Sequence, residues 1–153
     1  MRKAILILLS GLLSTASTRP GTSEIHIKKH KQSIHFLESS LSVALDSAAR
    51  QQRLLFLDAY ASWCGPCRLL KRTTFTDPAV AVFFNTHFVN LSMNMEKNEG
   101  PELARRLHLR MYPSLYFLNA KGQVIAYAAG YLPADQLLAY ARSTLAREGY
   151  PAN

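Results

Sequence analysis

The feature that most restricts this chain is Trp63-Cys64-Gly65-Pro66-Cys67, a run that holds both of its cysteines two residues apart. Before it, Leu54 to Ala61 is an almost unbroken apolar stretch, the pattern of a central strand buried on both faces. After it, Arg68-Leu69-Leu70-Lys71-Arg72 reads as helix. A helix therefore begins at the cysteines. Unpaired N–H groups and the positive end of the helix dipole gather there, and both favour an anion, here the thiolate of Cys64.

A Cys-x-x-Cys pair has three common uses. A structural zinc site needs about four ligands, and no second pair or histidine cluster follows at a suitable spacing, so no metal is expected. His26 and His30 would share a face only in a helix, whereas Ile25 and Ile27 alternate as in a strand. A purely structural disulfide closing so short a loop removes little entropy from the unfolded chain. Redox chemistry is the strongest of the three readings. It needs no cofactor. His35, His87 and His108 stand isolated, without the serine or carboxylate pattern of a hydrolase.

On these residues the sequence resembles the thioredoxin family, and the match extends over most of the chain after about residue 33. The run from Trp63 to Cys67 agrees with that family's active site residue for residue. Asp58 lies where the family keeps a buried acid beneath the cysteines, Met111-Tyr112-Pro113-Ser114 where it has a cis-proline loop, and Gly130 where a glycine borders the substrate groove. The resemblance implies an α/β thioredoxin fold, a mixed central sheet flanked by helices on both faces. It also implies exchange with protein disulfides through a redox-active Cys64–Cys67 pair. Trp63, Gly65, Pro66, Tyr112, Pro113 and Gly130 would bind the client, with the Tyr112 main chain pairing with it by strand addition. Tyr112 departs from the aliphatic residue common at that position.

Two further stretches refine the expected role. Thr74-Phe75-Thr76-Asp77-Pro78-Ala79-Val80 is similar to a run in the exported thioredoxin-like domains of membrane thiol-disulfide interchange systems. A membrane protein of that kind is thus a candidate electron donor. Gly65-Pro66 resembles the reducing members of the family, which favours a reductase or electron relay over an oxidase. The alternative from another class is a binding module that holds partners in the Tyr112-Pro113 groove without turnover.

The chemistry proposed from position assigns roles to three side chains. Cys64, at an exposed helix start, would attack, with Arg68 adding some stabilising charge. Cys67, one turn inside, would be the buried resolving thiol. Asp58 would take the proton of Cys67, since an acid in so apolar a strand needs a reason. Its alternative reading is a strand-end acid that caps or reaches solvent.

The remaining sequence supplies the frame. At 153 residues the chain suits one domain. Met1-Arg2-Lys3, the apolar run to Leu13 and the small residues Ser14-Thr15-Ala16 read as a signal peptide over 1–16, cleaved after Ala16 and leaving no transmembrane segment. An uncleaved anchor is the other option. A periplasmic or secreted product follows. Residues 17–32 read as a flexible lead-in with room for a first strand, and 33–150 as the thioredoxin-like domain. A net charge of +8 is scattered without a nucleic-acid motif, so nucleic acid is not an expected partner. Apolar spacing from Ser33 through Ala48 predicts the first helix, and Asp77-Pro78 predicts a helix start with a capping acid, running to about Asn85. The expected order is an initial strand followed by αβαβαββα.

Overall fold

The structure is a computed structural model that describes residues 32–151. The signal peptide, most of the lead-in, the first strand expected near Ile25 and Ile27, and the histidines 26 and 30 lie outside the described residues.

The organising element is the strand β1 (Leu54–Tyr60), whose first six residues are all buried. Burial on both sides explains why its sequence is continuously apolar rather than alternating. β1 pairs in parallel with β2 (Phe88–Asn94) and antiparallel with β3 (Ser114–Leu118), and β3 pairs antiparallel with β4 (Val124–Ala129). The sheet order is β2-β1-β3-β4. Helices α1 (Leu41–Gln51), α2 (Gly65–Arg72), α3 (Pro78–His87), α4 (Gly100–Arg106) and α5 (Ala134–Arg147) complete the chain. This is the expected mixed sheet with helices on both faces.

Strand alternation divides the core in two. Leu54 and Phe56 of β1 join Leu115 and Phe117 of β3 against Leu70 of α2, Phe84 of α3 and Leu137 of α5. Leu55, Leu57 and Ala59 point the other way, with Tyr116 and Leu118, against Leu41, Ala44 and Ala48 of α1 and Leu103 of α4. Asp58 falls by parity on the first face, beneath α2. The start of α4 presses directly on the end of β2. A Cβ at Gly100 would lie 2.2 Å from the Asn94 carbonyl oxygen, so only glycine fits there.

The first helix begins later than the apolar spacing predicts. Ile34 and Leu37 are extended, because their N–H groups donate to the carbonyls of Phe75 (2.9 Å) and Asn90 (2.8 Å). Leu37 forms an isolated parallel bridge with Leu91, extending the outer edge of β2. Ser40 then caps α1, its Oγ accepting from the Val43 N–H. By contrast α3 starts where its sequence signals it. Asp77 accepts from the N–H groups of Ala79 (2.9 Å) and Val80 (3.1 Å), with Pro78 in the first turn. It ends at His87, two residues beyond the expected stop. Among the described residues no helix is long and apolar enough to cross a membrane.

Candidate active site

Because β1 ends at Tyr60 and α2 starts at Gly65, the intervening turn delivers Cys64 to the N-cap of a helix. Cys64 has an extended backbone, and its Sγ accepts the N–H of Cys67 at 3.1 Å. An N-cap side chain normally takes the N–H of the second or third helical residue. Pro66 is the second and has no N–H, so the donor is Cys67. The two sulfurs are joined as a disulfide, with Cα atoms 5.3 Å apart.

The sequence places Cys64 at an exposed helix start, and the structure corrects this. Cys64 is 3% and Cys67 1% exposed, because Ala61, Tyr60 and Tyr112 pack around the pair. Burial hardly separates the two sulfurs. Their place on the helix does: one caps it, and the other sits inside its first turn. The Arg68 guanidinium donates to the Ser62 carbonyl oxygen at 3.1 Å.

Around the pair the expected groove residues come together in part. Trp63 is 66% exposed, donates from Nε1 to Glu96 at 2.9 Å, and meets the Tyr112 ring edge-on at 5.7 Å between centroids. Gly65 and Pro66 are exposed beside it. The Tyr112–Pro113 peptide bond is cis, and Pro113 is buried. Gly130, at φ +86°, donates its N–H to the Pro113 carbonyl at 2.8 Å, which fixes the loop from the far side. Burial and the nearby Glu96 charge both raise the Tyr112 phenol above its ordinary range. A hollow of about 690 Å³ opens next to these rings, bounded by Trp63, Leu109, Met111 and Tyr112 with Arg105 and Arg110 at its rim.

Asp58 is wholly buried, which rules out a strand-end acid reaching solvent. Its Oδ2 accepts from the Ser92 hydroxyl at 2.7 Å and lies 3.6 Å from the Lys71 ammonium. Oδ1 has no hydrogen-bond partner among the described residues. Burial raises the carboxyl above its usual range, while first the Lys71 charge and then hydrogen bonds from Ser92 and Lys71 pull it back. Lys71 is lowered by its own burial and partly restored by Asp58. Desolvation thus outweighs attraction at both ends of the pair.

Lys71, Ser92 and Glu96 escape a reading of the sequence. Ser92 is the register partner of Asp58 on β2, and Lys71 reaches it from one turn beyond Cys67. The signal available was a hydroxyl in β2, a strand that also carries the polar Asn90 and Asn94. Among the described residues no cluster of three or more His, Cys, Asp or Glu side chains is arranged to hold a metal ion.

The chain matches the model of the thioredoxin-like domain over residues 41–144. It belongs to the thioredoxin-like domain family. The thiol:disulfide interchange protein DsbD of Tatumella citrea is 34% identical over 96 residues, covering 60% of this chain and 16% of DsbD. That of Pectobacterium atrosepticum is 26% identical over 151 residues, 92% of this chain and 26% of DsbD. The chain therefore spans between about a sixth and a quarter of those proteins. Among solved structures, a candidate disulphide-isomerase from Bacteroides thetaiotaomicron is 40% identical with a TM-score of 0.69, over 76% of this chain and 96% of that one. The C-terminal domain of Neisseria meningitidis DsbD, at 20% identity and a TM-score of 0.59 over 72% and 98%, shares the fold. The thioredoxin-like chain thus carries a Cys64–Cys67 pair on a fold whose relatives include thiol-disulfide oxidoreductases.

Proposed function

We propose that this protein is an exported thiol-disulfide oxidoreductase that acts on protein disulfides as a reductase or electron relay. The observation that carries the reading is the capping bond from the Cys67 N–H to Cys64 Sγ. On reduction the same N–H is aimed at the sulfur that must bear charge.

In the reduced dithiol, the Cys64 thiolate attacks one sulfur of a client disulfide. The client S–S bond breaks, and its second sulfur leaves with the electron pair and takes a proton. Cys67 then gives its proton to the Asp58 carboxylate and attacks Cys64 Sγ. The bond from Cys64 to the client breaks, the remaining client sulfur leaves with the electron pair as a thiolate and takes a proton from water, and the Cys64–Cys67 disulfide holds the two electrons' worth of oxidation. A thiol donor reverses these steps. Trp63, Gly65, Pro66, Tyr112, Pro113 and Gly130 form the client groove, with the Tyr112 main chain as the pairing edge.

Export rests on the pattern of residues 1–16 and on similarity to DsbD, which also makes a membrane thiol-disulfide interchange protein the favoured donor. The test is disulfide reduction of insulin by the purified chain with a thiol donor, together with the reduction potential of the pair. Turnover with a potential nearer the thioredoxin value of about −270 mV than the DsbA value of about −120 mV supports the proposal. Absence of turnover overturns it, and a potential near the upper figure overturns the reductive direction.

A further inference from the structure

The hollow beside Trp63 and Tyr112 owes its shape to the way α4 ends. His108 takes a left-handed backbone, at φ +50°, and two bonds close the helix there: its N–H donates to the Arg105 carbonyl at 3.1 Å, and the Leu109 N–H to the Ala104 carbonyl at 2.9 Å. The chain then runs through Arg110 and Met111 into the cis bond at Pro113. This loop lines the hollow on one side, and Trp63, next in sequence to Cys64, lines it as well. Tyr112 borders the hollow and also packs on the Cys64–Cys67 pair, so the space adjoins the reacting sulfurs. Met111 is 52% exposed and Trp63 still more so, two large apolar side chains left to solvent at one place.

The charge of the hollow is one-sided. Among the described residues Arg105 and Arg110 line it and no acid does. Two acids on the neighbouring segments are already engaged: Glu102 pairs with Arg105 along α4, and Glu96 accepts the Trp63 indole N–H. Arg105 and Arg106 have a local reason, since cations in the last turn suit the negative end of a helix dipole. Arg110 has none. It lies beyond the closed end of α4, is exposed, and among the described residues engages no hydrogen bond or ion pair. An uncommitted guanidinium at the mouth of an apolar hollow suits a carboxylate brought by the occupant.

We infer that this hollow is the specificity pocket of the client groove and takes an acidic side chain of the client, with Arg110 as the residue that selects it. The inference rests on the oxidoreductase reading above and names its substrate class, protein disulfides with Asp or Glu close to the attacked cysteine. In a client paired as an extended strand along Tyr112, side chains two positions apart share a face. An acid two residues from the client cysteine therefore faces the protein as the cysteine does, with its carbons against Trp63 and Met111 and its carboxylate at Arg110.

The experiment follows reduction of disulfide-linked peptide dimers by the purified full chain with a thiol donor. The peptides are identical except for Glu, Gln, Leu or Lys two residues from the cysteine on both sides. At low ionic strength kcat/KM is about ten-fold or more higher for the Glu peptide than for the Lys peptide, the lower end of steering by a charged cleft. The ratio shrinks at about 1 M salt, where the Debye length is about 3 Å. Arg110→Gln narrows it and Arg110→Glu inverts the order, whereas Arg147→Glu, the same charge change at the exposed end of α5, leaves the order as in the wild type. Equal values for all four peptides, or fastest reduction of the Lys peptide, overturn the pocket and leave the oxidoreductase reading standing. A Leu peptide reduced fastest makes the hollow an apolar subsite and overturns the acidic class. An order that Arg147→Glu changes as much as Arg110→Glu reduces the effect to the net charge of the chain and overturns the role of Arg110. A chain that reduces none of the peptides overturns the oxidoreductase reading itself, and the client pocket falls with it.

Discussion

Two helix starts in this molecule use the same device for different ends. At α3, Asp77 takes two backbone N–H groups, at 2.9 and 3.1 Å, with proline in the first turn. At α2, Cys64 takes one, at 3.1 Å, again with proline in the first turn. The oxygen cap closes a helix. The sulfur cap closes it less completely, since Pro66 removes a donor, and it leaves the polarity of the helix end directed at an atom that can react. A cap made of a permanent charge is structural, whereas a cap whose charge appears only on reduction couples the helix to redox state.

The largest effect should come from breaking the sulfur cap. Cys64→Ser keeps a capping atom but abolishes turnover, whereas Cys67→Ser accumulates a mixed disulfide through Cys64, read by mass mapping of the trapped pair. A trap that forms instead through Cys67 in the Cys64→Ser chain would reverse the assigned roles.

Next comes the acid beneath the cap. Asp58→Asn slows release from the mixed disulfide by about a hundred-fold, the scale of a lost general base. Its stability carries a sign as well. The folded carboxyl binds its proton more tightly than the unfolded one, so wild-type stability falls as pH rises from the ordinary carboxylate range through the raised value, then levels. The asparagine variant lacks that decline and gains on the wild type across the same window in denaturant titrations. Parallel pH curves for the two chains, or equal release rates, would remove Asp58 from the mechanism.

The smallest effect belongs to the oxygen cap. Asp77→Ala costs about 1 kcal/mol of stability in thermal melts. It leaves turnover unchanged, and a change in turnover would mean that the two caps are not separable as described.

These contrasts also mark how far the sequence was readable. Both caps were, because a capping residue, a proline and the apolar run beside them are neighbours in the chain. The strand Ser114–Leu118 was legible for the same reason, with turn residues on either side. The start of α1 was not. Ile34 and Leu37 fit a helical stripe, and only the carbonyls of Phe75 and Asn90, distant in sequence, draw them into extended backbone. Burial of Cys64 was likewise hidden, since Tyr112 arrives from a loop 48 positions later in the numbering. Lys71 read only as part of a helix. Its partner became visible only once β1 was set under α2.

The central claim is that the fold makes the capping sulfur the more acidic of the two. Titrating both thiols of the reduced chain by the pH dependence of their alkylation tests it most directly. The account predicts that Cys64 loses its proton well below the free-thiol value of about 8.5, with Cys67 above it. Two sulfurs titrating together near that value would contradict it.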